Sequence, residues 1–84
     1  MPFYVYILLS KKDKNLYIGQ TSNLARRLEA HFGGHVPSTK NRRPLELVHC
    51  EDFESRTGAI KREHELKSPA ARDFKRKLRN DSVG

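Results

Sequence analysis

Two strand-like runs joined by a short polar link constrain this chain more than any other feature. The first, FYVYILL (Phe3–Leu9), is dense in β-branched and aromatic side chains; the second, LYIGQT (Leu16–Thr21), repeats that character in shorter form. The intervening SKKDKN is polar throughout, which predicts a hairpin. With a loop over residues 11–14, Tyr6 lies opposite Gly19 and Leu8 opposite Tyr17. Side chains alternate along a strand, so Tyr6 and Tyr17 then point to one face, and a slip of one residue would separate them. Tyrosine is also an ordinary strand former that packs half-buried sheets, so the pair alone does not define a site.

The rest of the chain reads as one helix, a basic loop, a third strand and two more helices. SNLARRLEAHFGG takes Ser22 or Asn23 as its cap, because either side chain accepts from a free backbone N–H, and Gly33-Gly34 as its stop. At about 100° per residue, Leu24, Leu28 and Phe32 form a buried stripe, with Arg27 and His31 side by side at its edge. HVPSTKNRRP is a basic loop, and LELVHCEDF (Leu45–Phe53) is the third strand. Ser55 caps a helix over RTGAIKREHELK. Ser68, with Pro69 at the first helical position, opens a basic helix over residues 69–79 with Ala70, Phe74 and Leu78 as its thin apolar stripe. The order β-β-α-β-α-α is that of an α+β fold, a small three-stranded, mainly antiparallel sheet flanked by helices. With no internal repeat and no long linker, residues 1–84 read as a single domain whose core must be thin.

Charge narrows the partners. Lys and Arg number 17 against 10 Asp and Glu, a formal charge of +7 on a small body. Such a field favours nucleic acid first, with a merely solvated basic surface as the plain alternative and an anionic membrane surface behind both. Lys40, Arg42 and Arg43 in the loop, and Lys75, Arg76 and Arg79 on the last helix, are the expected contacts to its backbone, and contacts of that kind carry little sequence information. The single cysteine, Cys50, excludes an internal disulfide and points to a reducing cytoplasm. The apolar N-terminus lacks a basic region and a cleavage site, and is too short to span a bilayer, so it reads as a buried strand and not as a membrane segment.

Three polar residues stand where the pattern asks for explanation. Arg27 is either a cation laid along apolar surface or part of a cleft. His31 is either a helix C-terminal histidine facing the dipole or a site residue. Glu63 falls on the helix face set by Ala59, Ile60 and Leu66, where a carboxylate is costly unless it is paired with a Lys or Arg or holds a metal. A zinc site from His31, His35, His49 and Cys50 is a weak alternative: a helix end separates the first two, and adjacent His49 and Cys50 point to opposite faces of a strand.

Together these residues resemble the GIY-YIG nuclease domain. YVY (Tyr4–Tyr6) stands where the family's first motif ends in tyrosine, and YIG is present letter for letter at Tyr17-Ile18-Gly19. TSNLARRLEAH resembles the family's helix, with its arginine at Arg27 and a histidine at His31, and AIKREHELK resembles the segment whose glutamate maps to Glu63. The resemblance covers the motif-bearing core, residues 3–67, and with TKNRRPLELVH it is greatest to the small stand-alone bacterial members. The first motif departs from the family in reading Tyr-Val-Tyr where Gly-Ile-Tyr is usual, and no equivalent of the late asparagine of several members is identified.

The resemblance implies metal-dependent hydrolysis of phosphodiester bonds in nucleic acid, DNA before RNA, with low sequence specificity. It implies Tyr6, Tyr17, Arg27, His31 and Glu63 as the catalytic set, with Glu63 holding Mg²⁺ or Mn²⁺. Tyr6 is expected to act as a base assisted by positive charge, since a free phenol titrates near 10. Arg27 is expected to share the phosphate's charge, Tyr17 and His31 to orient water or phosphate, and Gly19 to permit a close approach that a side chain would block. The alternative from a different class is a non-catalytic nucleic-acid-binding module that keeps the fold and the basic surface.

Overall fold

The apolar run at the N-terminus is the middle of the sheet. In the computed structural model, which describes residues 2–83, β1 (Phe3–Ser10) pairs antiparallel with β2 (Leu16–Thr21) on one side and with β3 (Leu45–Phe53) on the other, giving the order β2-β1-β3. Residues 5–10 are almost wholly removed from solvent because both faces of the central strand are covered. The hairpin register is the expected one: Tyr6 faces Gly19 and Leu8 faces Tyr17. The loop is held by Ser10 N–H donating to the Asn15 carbonyl at 2.9 Å and Asn15 N–H donating to Asp13 Oδ1 at 2.9 Å, with Lys14 in the left-handed region at φ 65°. On β3 the register moves from Ile7 opposite His49 to Leu8 opposite Leu47, so Val48 is the extra residue of a bulge.

The two faces of the sheet carry different layers. Val5, Ile7 and Ile18 pack with Ala59 and Leu66 of α2 (Arg56–Lys67) and with Phe74 and Leu78 of α3 (Arg72–Val83). This is the apolar core, where each fully buried aliphatic side chain contributes roughly 1.5–3 kcal/mol. Glu51 clamps it at the β3 edge. Its carboxylate accepts from Arg62 at 3.0 Å and pairs with His49 at 2.6 Å, and the His49 ring stands edge-on to Phe74 at 5.0 Å. Against the burial that would raise it, these two partners hold the Glu51 carboxyl below its usual range. The opposite face, lined by Tyr6 and Tyr17, is covered by α1 (Leu24–Phe32) and by the segment that includes a 3₁₀ turn at Lys40–Arg42. No helix among the described residues is long and apolar enough to cross a membrane.

The helix ends follow the expected chemistry with one difference. Asn23, of the two candidates, caps α1 by accepting from Arg26 N–H at 3.1 Å, and Ser55 caps α2 by accepting from Gly58 N–H at 3.1 Å. Ser68 does not cap the last helix. Its hydroxyl donates back to the Glu65 carbonyl at 2.6 Å, and Pro69 starts a separate 3₁₀ turn (Pro69–Ala71) before α3. The expected stop of α1 at Gly33-Gly34 holds: Gly33 is the C-cap, and Gly34 takes φ +81°, while its N–H bonds His31 O and His35 N–H bonds Ala30 O, the paired bonds of a left-handed C-terminal turn.

The apolar stripes are narrower than their periodicity implies. Phe32 is 45% exposed and Ile60 36% exposed, while the residue of α1 that is wholly buried is His31. The reason is the surface that α1 covers. A sheet face presenting two phenols accepts a hydrogen-bonding ring there, and Phe32, next to the turn at Gly33-Gly34, is carried off the sheet.

Candidate active site

Strand alternation and the hairpin register bring Tyr6 and Tyr17 together, with ring centroids 6.4 Å apart and planes tilted by 36°. The His31 ring meets both edge-on, at 5.5 Å from Tyr6 and 5.1 Å from Tyr17. His31 Nε2 lies 2.9 Å from the Tyr6 hydroxyl, and Arg27 Nε donates to the same hydroxyl at 3.3 Å. Arg27 and His31, one helical turn apart on α1, therefore converge on one phenol oxygen. Gly19 makes this possible. A Cβ built there would stand 2.6 Å from the Tyr6 oxygen and 2.7 Å from Tyr6 Cζ, so the close approach the glycine permits is that of the Tyr6 ring itself.

Burial separates these residues into two ranks. Tyr6 and His31 are both 0% exposed, whereas Tyr17 and Arg27 are half-buried and reach the surface. His31 was expected at the border of core and solvent; the structure places it inside, with both ring nitrogens engaged. Burial raises the Tyr6 pKa above its ordinary value. The Arg27 bond opposes the rise, and the charges of Tyr17 and Glu63 add to it. The positive charge expected to assist Tyr6 is thus present but outweighed by desolvation. Burial and then the Arg27 charge push His31 below its ordinary value, so it is neutral at pH 7. Arg27 is held above its ordinary value, first by the Tyr6 hydroxyl and then also by Tyr17.

Glu63 lies in the other layer, with no hydrogen bond to the tyrosines, Arg27 or His31 among the described residues. It lies on α2 between buried Ala59 and Leu66, its side chain is 17% exposed, and its charge is felt at Tyr6. Oε2 accepts from Lys67 Nζ at 2.9 Å, a pair whose lysine is 54% exposed, while Oε1 has no hydrogen bond among the described residues. This donor set fits a hard divalent ion that keeps most of its waters and takes one carboxylate oxygen. It does not fit a cage of protein ligands: among the described residues no three His, Cys, Asp or Glu side chains lie close enough to share an ion. The weighed zinc set is dispersed, with His31 used inside the Tyr6 face and His49 bonded to Glu51 on the other.

The basic residues divide between the two layers. Lys40 and Arg43 are exposed beside the Tyr6 face, Arg43 donating to the Lys40 carbonyl at 3.1 Å. Arg42 is half-buried and paired with Asp13 at 3.0 Å, so it ties the loop to the hairpin. Lys75, Arg76 and Arg79 lie on α3, whose Phe74 and Leu78 pack on the opposite face of the sheet; Arg76 pairs with Asp73 at 3.4 Å. The structure brings the loop cations to the tyrosine face and leaves the α3 cations in the other layer. One residue of the site was invisible in the sequence. Thr39, 0% exposed, holds His31 Nδ1 at 2.8 Å. A threonine inside a basic loop carries no periodicity or motif that would single it out.

A hairpin that sets two tyrosines against an arginine and a histidine of the next helix, with a glutamate following on a later one, defines a class of domain. The GIY-YIG catalytic domain model matches residues 2–77, and the chain belongs to the GIY-YIG family. Within it, the chain is 45% identical over 82 residues to a UPF0213 protein of Natronomonas pharaonis, covering 96% of this chain and 94% of that one. It is 47% identical over 66 residues to a UPF0213 protein of Syntrophus aciditrophicus, covering 76% and 75% of the two chains. The solution structure of a UPF0213 protein from Bacillus halodurans superposes with a TM-score of 0.57 at 34% identity, covering 93% of this chain and 85% of that one.

Proposed function

We propose that this chain is a divalent-metal-dependent phosphodiesterase that cleaves nucleic acid, DNA before RNA, with low intrinsic sequence specificity. The observation that carries the reading is the convergence of Arg27 and His31 on the Tyr6 hydroxyl, beside the Tyr17 ring, inside a GIY-YIG domain. Arg27 is half-exposed and turns its forked donors to the scissile phosphate. Its Nε bond to Tyr6 is then released and the phenol oxygen opens to the cleft. Tyr6, neutral at rest, takes a proton from the attacking water while its own proton passes to His31 Nε2. Phosphate beside Arg27 offsets the charge that disfavours a protonated His31, which makes the histidine a better acceptor when substrate is bound. Tyr17 orients the water from the exposed side of the same face. Glu63 holds Mg²⁺ or Mn²⁺ through a carboxylate oxygen, and a bound divalent ion supplies charge neutralisation at the scissile phosphate and leaving oxygen. Lys40 and Arg43 hold the flanking backbone, as does Arg42 in so far as Asp13 leaves it free.

The complete burial of the Tyr6 hydroxyl favours a second reading, a module that binds nucleic acid without cleaving it. Incubating the purified protein with labelled single-stranded, duplex, flap and junction DNA and RNA, in Mg²⁺, Mn²⁺ or EDTA, separates them. Metal-dependent product supports the phosphodiesterase. Salt-sensitive binding with no product from any substrate overturns it in favour of the module.

A further inference from the structure

We propose that Thr39 is a positioning residue of this site: its hydroxyl holds the His31 ring and accepts the Nδ1 proton of the tautomer that Arg27 and Tyr6 select, which keeps Nε2 free to take the Tyr6 proton. The inference deepens the phosphodiesterase reading and rests on it for its kinetic consequences. A buried hydroxyl is costly without a partner, and the partner of Thr39 is His31 Nδ1 at 2.8 Å. The other ring nitrogen is 2.9 Å from Tyr6, so a ring flip would break both bonds inside a site where Tyr6, His31 and Thr39 are all 0% exposed.

The far end of the chain gives it a direction. Arg27 Nε can only donate, so the Tyr6 oxygen accepts there and gives its own proton to His31 Nε2. The imidazole then carries its proton on Nδ1 and donates it to Thr39 Oγ1. The reverse tautomer would aim an Nε2 proton at a phenol oxygen that already accepts from Arg27; each tautomer leaves one hydroxyl proton, that of Tyr6 or of Thr39, without an acceptor among the described residues, so the Arg27 bond decides between them. The partner of one imidazole nitrogen sets the state of the other.

Thr39 is well anchored for that task. It precedes the turn at Lys40–Arg42, and the segment is fastened to the β1–β2 hairpin at four points. Ser10 Oγ donates to the Arg42 carbonyl at 2.6 Å, Arg42 pairs with Asp13 at 3.0 Å, Lys12 Nζ donates to the Asn41 carbonyl at 3.1 Å, and Lys11 N–H donates to the Pro44 carbonyl at 2.8 Å. The hydroxyl that orients His31 is therefore held by the same segment that carries the exposed Lys40 and Arg43.

The test compares wild type, Thr39→Val and Thr39→Ser, labelled with ¹⁵N-histidine. Long-range proton–nitrogen spectra report the His31 tautomer and confirm the fold in the same sample. Wild type and T39S should show the Nδ1–H form, and T39V should lose it. In cleavage assays T39V should lower kcat about 100-fold with KM within about twofold, the scale of lost proton-transfer assistance, and T39S should restore kcat to within about threefold of wild type. An Nε2–H tautomer in wild type overturns the proposal, even where T39V fails to fold. So does a T39V kcat within about threefold of wild type, or equal loss in T39V and T39S, which would make packing and not the hydroxyl the cause. A wild type that cleaves nothing refutes the phosphodiesterase reading alone, because the tautomer comparison still decides the role of Thr39.

Discussion

Replacing Gly19 by alanine tests the architecture of the site with one methyl group. The added Cβ would meet the Tyr6 oxygen at 2.6 Å, Tyr6 Cζ at 2.7 Å and Tyr17 Cε1 at 3.2 Å, where ordinary contact starts at 3.4 Å, so the phenol must retreat by about 0.8 Å. It cannot do so freely. Its oxygen is bonded to His31 at 2.9 Å and to Arg27 at 3.3 Å, and the ring is wholly enclosed. Overpacking of this kind costs about 1–3 kcal/mol, and weakening one buried hydrogen bond adds about 0.5–1.5 kcal/mol. Removing a glycine from a strand returns about 0.5–1 kcal/mol. The net loss of about 0.5–4 kcal/mol should lower the melting temperature by at least ~2–4 °C in a domain of this size. A displacement approaching 1 Å at a reacting group should also cost about 100-fold in cleavage rate. Thermal melts followed by circular dichroism, with cleavage assays on the same preparation, read both effects. A Gly19→Ala protein that melts within about 2 °C of wild type and cleaves normally would refute the packing of Tyr6 on Gly19 and the site built on it.

Glu63→Gln should abolish metal-dependent cleavage by orders of magnitude while nucleic-acid binding survives. Its melting temperature should move little, because the lost partner is a solvent-exposed lysine one turn away and such pairs contribute only about 0.3–0.5 kcal/mol; unchanged metal-dependent activity would remove Glu63 from the mechanism. Stability should fall on acidification through His31: its folded pKa is depressed, so its contribution is complete above about pH 6.5 and is lost as the pH drops through the folded value. At the alkaline end Tyr6, whose folded pKa is raised, contributes fully below about pH 10 and loses that contribution above it; a melting temperature that climbs as the pH falls from neutral would contradict the burial of His31. Binding to labelled nucleic acid should weaken steeply with salt, and Lys40→Ala or Arg43→Ala should each reduce the salt slope by about one, equally for all sequences; affinity that ignores salt would rule out a phosphate-dominated interface.

Much of this molecule was written in short-range pattern. The hairpin register followed from a four-residue loop and strict alternation, and it carried Tyr6, Tyr17 and Gly19 to one face without tertiary information. The helix start at Ser55 was legible, and that of α1 narrowed to Ser22 or Asn23, because a capping side chain acts on the backbone three residues away. Helical spacing put Arg27 beside His31 and put Glu63 between Ala59 and Leu66. What the sequence could not decide was depth and sidedness. Periodicity names a stripe but not which edge of it a neighbour covers, so Phe32 and Ile60 lie more open, and His31 more enclosed, than their positions implied. The charge of α3 was visible, but only its packing through Phe74 and Leu78 revealed that it lies behind the sheet and not over the tyrosines. Thr39 meets His31 because the turn at Gly34 and the ties to the hairpin fold the loop back onto α1. A contact made by chain reversal leaves no local signature, and there the tertiary structure alone decides which hydroxyl faces the histidine.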